Sequence, residues 1–176
     1  MSPRCCAVWR RRARRRLNRF ERSLNARDIA SWLSIMTLSY HPAPGALLVC
    51  DYDTGFREPE MVKRRLCVVI TPRLRRRDGL CTVVPLSTTA PDEPQDYHCE
   101  MTFARPLPKP WPGDRKWAKC DMLATVGYGR LSPIGIGRDA QGKRRYIYPH
   151  ANGDQLKEIR KAVLCALSLR ELTIHL

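Results

Sequence analysis

Three short apolar runs, each with polar residues fixed at one end, constrain this chain more than anything else in it. Lys63-Arg64-Arg65 precede Leu66-Cys67-Val68-Val69-Ile70; Ser87-Thr88-Thr89 follow Cys81-Thr82-Val83-Val84-Pro85-Leu86; Trp117-Ala118-Lys119-Cys120-Asp121 precede Met122-Leu123-Ala124-Thr125-Val126. Runs of roughly four to eight apolar, β-branched residues bounded by Gly, Pro and charges read as buried strands. Strands this short can bury themselves only by pairing with one another in a small sheet. Were the three neighbours there, their polar ends would gather Arg65, Ser87, Thr88, Lys119 and Asp121. A cation, hydroxyls, an acid and a base without a metal-ligand set would suit a phosphodiester.

The rest of the chain supplies more short strands and one helix. Strands are expected over Ala46 to Tyr52, Arg65 to Thr71, Leu80 to Leu86, Tyr97 to Phe103 and Ala118 to Val126. Pro106, Pro108, Pro110 and Pro112 fix too many φ angles for regular structure between the last two. Ile134 to Arg138 and Arg144 to Tyr148 flank Asp139-Ala140-Gln141-Gly142, a hairpin turn. Asn152 caps a final helix whose Leu156, Ile159, Val163 and Leu167 share one face. The fold class is therefore β-rich α+β, a small SH3-like β-barrel with a C-terminal helix.

Charge is unevenly spread. The chain of 176 residues has a net charge of +15, from 32 Lys and Arg against 17 Asp and Glu. Residues 1–35 hold ten of those arginines and two acids, so the remainder carries 22 cations and 15 acids, or +7. Such a balance favours a polyanionic partner, nucleic acid or an acidic protein. The division expected is a basic extension over 1–41 and a folded domain over 42–176. Within the extension, Trp9, Ala13, Leu17, Phe20 and Leu24 recur with a helical period among arginines. Three readings stay open for it: an RNA-binding arm, a membrane-surface helix, or upstream sequence translated ahead of a start at Met36.

Eight cysteines stand at positions 5, 6, 50, 67, 81, 99, 120 and 165, with no C-x-x-C pair and no His at zinc-ligand spacing. Most fall inside apolar runs, as buried free thiols do. The expectation is a reduced, cytoplasmic protein with no metal or other cofactor and no disulfide framework. No apolar run reaches the ~18 residues of a membrane helix.

At the polar strand ends the chain resembles the PemK/MazF family of toxin endoribonucleases. Arg65 at the entry of a Val/Ile-rich strand, Val83-Val84-Pro85-Leu86-Ser87-Thr88 at a strand end, and Lys119-Cys120-Asp121 occur in the family's order, and Gly45 to Asp53 resembles its opening strand. The resemblance covers about residues 42 to 170. It implies a type II toxin that cuts single-stranded RNA without metal, leaving a 2′,3′-cyclic phosphate and a 5′-OH. It also implies a homodimer silenced by a cognate acidic antitoxin. It assigns Lys119 and Asp121 to acid and base, and Arg65 and Ser87 to the scissile phosphate. Lys63, Arg64, Thr88, Thr89 and Trp117 are the accompanying candidates for RNA contact. Three departures stand out. Leu66 replaces the usual Pro after the Arg, and Lys119 stands where some members have Arg. Glu58, Pro59 and Glu60 occupy a loop that in some members carries a His.

RNA needs no metal to be cut, because its 2′-OH is a built-in nucleophile. A Lys and an Asp two residues apart on one strand share a face and could pair. An unperturbed Asp (pKa ~3.9) is a weak base and needs help from its site. The bland alternative makes Lys119 and Asp121 a surface ion pair and Ser87-Thr88 a plain turn. The rival functions are a non-catalytic RNA-binding module or a gyrase poison on the same barrel. His41, His98, His150 and His175 are scattered and are assigned no catalytic role.

Overall fold

A computed structural model describes residues 38–53 and 55–176. The helical stripe over 7–27, and all of the extension before residue 38, lie outside them. Nine strands follow in order: β1 (Leu47–Asp51), β2 (Arg64–Val69), β3 (Leu80–Ser87), β4 (His98–Thr102), β5 (Arg115–Lys119), β6 (Ala124–Gly127), β7 (Leu131–Ser132), β8 (Ile134–Arg138) and β9 (Arg144–Ile147). One α-helix, α1 (Gly153–Ala166), comes after them. Seven strands form an antiparallel sheet ordered β4-β5-β3-β2-β1-β7, with β6 also on β3. The sheet curves without closing, since β4 and β7 remain its two ends.

β3 is the pivot. Along one edge it pairs β2, from Cys67↔Pro85 to Val69↔Val83. Along the other it pairs β6 from Leu80↔Gly127 to Val83↔Ala124, then β5 at Leu86↔Ala118 and Ser87↔Trp117. Pro85, which has no N–H to give a ladder, stands in the gap between those two partners. That gap corrects the expectation of one strand over Ala118 to Val126. The segment is instead β5, a 3₁₀ turn at Cys120–Met122, and β6. Following a strand that changes partner requires the chain to leave one piece of sheet and re-enter another. Asp121 therefore lies on the turn and not on a strand with Lys119.

The strands read as continuously apolar because both faces of the sheet are covered. Leu47, Val49, Leu66, Val68, Val84 and Leu86 pack with Met101, Ala118 and with Ile159, Ala162 and Val163 of α1. Leu48, Cys50, Tyr52, Cys67, Val69 and Val83 pack on the other face with Cys81, Val126, Tyr128 and Leu131. α1 starts at a capping box: Gln155 N–H donates to Asn152 Oδ1 (2.8 Å) and Asn152 N–H to Gln155 Oε1 (3.0 Å). Leu167 leaves the buried face expected for it and is 53% exposed, with Ala162 buried on that face in addition. The helix ends at Ala166 and Ser168 takes φ 59°, which breaks the period before Leu167 can use it.

Buried lysine Lys116 sits on the core side of β5, 1% exposed. Its ammonium donates to the carbonyls of Pro112, Gly113 and Arg115 at 2.9, 3.1 and 2.9 Å. Three acceptors match its three protons and pin the Pro-rich loop to the strand. Burial pushes its pKa down from the ordinary lysine value.

The thiols of Cys50, Cys67, Cys81 and Cys120 are free and buried. Burial pushes Cys120 up to about 12 and both Cys81 and Cys99 up to about 11. Below the ordinary thiol value of 9.0 these groups are protonated in folded and unfolded chains alike. Between pH 9 and 11–12 only the unfolded chain ionises, so stability is lost as pH rises through that window. Urea melts at about pH 6.5, 7.5 and 10.5 should give equal midpoints for the first two and a lower one for the third. An unchanged midpoint at the highest pH would contradict the burial of these thiols.

Candidate active site

One face of the sheet loses its cover where β3 ends. On β5, Lys116 and Ala118 are buried while Trp117 and Lys119 are half-buried, as strand alternation requires. Ser87 lies across from Trp117, and His98 of β4 lies across from Lys119. Directly opposed residues point to the same side, their Cβ atoms ~5 Å apart. Ser87, Trp117, Lys119 and His98 thus form one patch on three adjoining strands. The chain leaving β3 arches beside it, and the two enclose an open cleft of about 570 Å³ lined by Ser87, Thr89, Ala90, Pro91, Asp92, Glu93, His98 and Lys119.

The loop geometry fixes two of these groups. Ser87 Oγ donates to the Thr89 carbonyl (2.9 Å) and accepts from Thr89 N–H (3.1 Å). The hydroxyl proton is thereby engaged, leaving one lone pair for a ligand. His98 Nδ1 accepts from Gln95 N–H at 3.1 Å. A neutral imidazole held so carries its proton on Nε2 and offers it as a donor. Asp92 and Glu93 supply the cleft's carboxylates.

Arg65 is the second residue of β2 and half-buried. Carried two residues past its last hydrogen-bonded pair, Cys67↔Pro85, the β2–β3 register sets Arg65 opposite Ser87. Its Nε is buried and finds no hydrogen-bond partner among the described residues. Leaving such a donor unsatisfied costs about 1–3 kcal/mol, more for a charged group.

Not every residue expected at the site comes to it. Asp121 is exposed on its turn, and no ion pair joins it to Lys119 within 4.0 Å among the described residues. Their expected common face is lost with the strand break. Thr88 is exposed and does not line the cleft, whereas Thr89 does. Lys63 and Arg64 are exposed before and at the start of β2, outside the lining; Arg64 reaches Ser132 Oγ at 3.5 Å. Conversely, Asp92 and Glu93, which no sequence pattern marks, line the cleft, and so does His98, which the sequence reading assigns no catalytic role. The alternation of His98, Glu100 and Thr102 marks a strand, but only the pairing of β4 with β5 sets His98 against Lys119.

Comparison with known proteins finds relatives, solved structures and a family model. YifN of Escherichia coli (strain K12) is 25% identical over 151 residues, 76% of this chain and 96% of that protein. An uncharacterized protein of Haemophilus influenzae is 27% identical over 149 residues, 78% of this chain and 98% of its own. Among solved structures, an endoribonuclease in complex with its cognate antitoxin from mycobacterial species is 19% identical with a TM-score of 0.49, covering 73% of this chain and 97% of that one. MazF from Deinococcus radiodurans is 18% identical with a TM-score of 0.49, covering 74% and 99%. A family model described as the PemK-like, MazF-like toxin of type II toxin–antitoxin systems matches residues 43–163. That match runs from just before β1 into the last turns of α1, and on it the chain belongs to the family of PemK-like, MazF-like toxins of type II toxin–antitoxin systems.

Proposed function

We propose that this toxin is a metal-independent endoribonuclease acting on single-stranded RNA. The observation that carries the reading is the convergence of Lys119, His98 and Ser87 on one cleft, with Arg65, whose Nε finds no partner among the described residues, in register opposite Ser87. Cleavage needs a base to take the 2′-OH proton while O2′ bonds to phosphorus. The P–O5′ bond then breaks, and an acid protonates the departing O5′. The products are a 2′,3′-cyclic phosphate and a 5′-OH. Arg65 and the Nε2–H of His98 hold the phosphate oxygens as charge builds on them. Lys119 clamps the phosphate and supplies the leaving-group proton. Ser87 shapes the Thr89 turn and accepts one hydrogen bond.

The base is Asp121 by family resemblance, although Asp92 and Glu93 stand inside the cleft. Parallel Asp121→Asn, Asp92→Asn and Glu93→Gln variants decide among them: the base is whichever loses about a hundredfold or more in rate. The second reading, a non-catalytic nucleic-acid binder, is favoured by Asp121's exposure and by the engaged Ser87 hydroxyl. We further propose a homodimer and an acidic antitoxin segment as partner. Family membership supports both, and exposed Arg57, Lys63 and Arg64 supply cations for the acidic segment. No helix among the described residues is long and apolar enough to cross a membrane.

Purified protein is expected to cut single-stranded RNA in excess EDTA and to leave DNA of the same sequence intact. Mapping of the ends should show the cyclic phosphate. Activity that disappears in chelator and returns with Mg²⁺ would overturn the metal-free chemistry, and RNA binding without any cutting would establish the second reading.

A further inference from the structure

The β8–β9 hairpin takes no part in the seven-stranded sheet and no part in the cleft. Its two strands pair only with each other. Its root is anchored by Ile134, which is fully buried, and by Ile147, which packs on the helix-side core opposite it. Beyond the root the ribbon is exposed from Gly135 to Arg138 and from Ala140 to Arg145. That exposed part carries Arg138, Lys143, Arg144 and Arg145. Among the described residues none of the four forms an ion pair with a carboxylate. The ribbon's own acid, Asp139, is occupied in the turn, where Oδ1 accepts from Gln141 N–H (3.0 Å) and Lys143 N–H (2.8 Å).

Two features point past ordinary surface charge. Arg138 and Arg144 are directly opposed across the ribbon, an arrangement that is unfavourable for like charges. Along β9 and the residue after it, Arg144, Tyr146 and Tyr148 fall on the side opposite Ile147, every second residue, ~6.6 Å apart. Tyr148 is 56% exposed, and Ile136 beside the ribbon's bulge is 37% exposed. A solvated charged turn has no use for an uncovered ring such as Tyr148. A guanidinium with two aromatic groups on one side of the ribbon matches a single strand of nucleic acid, where cations meet phosphates and rings stack on unpaired bases. An acidic peptide would answer the cations and leave the rings unused.

We propose that the β8–β9 hairpin is a second contact for single-stranded RNA, separate from the cleft, which contributes to binding and not to chemistry. The proposal rests on the endoribonuclease reading for its choice of ligand. The test is anisotropy binding of a long labelled single-stranded RNA to the full chain, beside cleavage of the same RNA and of a short one that fills only the cleft. Lys143→Gln with Arg144→Gln should weaken long-RNA binding roughly tenfold at about 0.1 M salt. It should also lower the slope of log affinity against log salt by about one to two. Tyr148→Ala should weaken binding by roughly tenfold with the slope unchanged, since stacking releases no counterions. In both variants KM for the long RNA rises, while its kcat and all kinetics on the short RNA stay at wild-type values. The Ile134–Ile147 root is untouched, and an unchanged thermal midpoint would show that the hairpin still folds. Variants that bind long RNA as tightly as wild type would overturn the hairpin contact alone. Variants that lose affinity for a poly-glutamate peptide but not for RNA would make the ribbon a protein-docking surface and overturn it as well. A wild-type chain that binds no RNA would overturn both this contact and the reading of the cleft.

Discussion

Lys119→Gln is expected to lower RNA cleavage by about a hundredfold or more, the scale on which a proton donor or charge-stabilising group acts, with little change in folding stability. Lys119 is half-buried on the open face of β5, and its neighbours toward the core are Ala118 and Cys120. Removing its charge therefore empties the cleft of its lysine and leaves the packing alone. Lys119→Arg should restore part of the rate, because the charge returns with a different shape and a proton held more tightly. Arg65→Ala should lower the rate by a similar factor, through loss of the guanidinium whose Nε has no partner among the described residues. A wild-type rate in folded Lys119→Gln protein would remove Lys119 from the chemistry. A wild-type rate in Arg65→Ala alone would leave the cleft reading intact and remove only the register argument that brings Arg65 to it.

The largest stability effect is expected at Ile159. Its side chain is fully buried between α1 and the sheet, and Ile→Ala at such a site costs about 2–5 kcal/mol. That is a large part of the about 5–15 kcal/mol that holds a domain together. The backbone at Ile159 also accepts a hydrogen bond from Cys120 Sγ at 3.7 Å, so the helix touches the turn that directly follows Lys119. Ile159→Ala should lower the urea midpoint sharply and reduce cleavage even where the protein is still folded. Ile159→Val, which removes one methyl, should cost about 0.5–1.5 kcal/mol and keep the rate. A midpoint for Ile159→Ala within experimental scatter of wild type would mean that α1 is not clamped to the sheet as described.

The sequence carried the strands, the turns and the helix cap by itself, because each rests on local chemistry. Apolar, β-branched runs ended by Gly, Pro or charge gave β1, β2, β3 and β4 to within a residue or two, and Asn152 marked the start of α1. Arg65, Ser87 and Lys119 were legible as polar groups at the ends of such runs. Pairing between strands, however, depends on residues far apart in the chain, and no local pattern states it. Only the tertiary structure splits the run from Ala118 to Val126, because β3 must change partner around Pro85; that break takes Asp121 off the strand. It is also the register of β4 on β5 that brings His98, read from the sequence as one scattered histidine among four, to face Lys119.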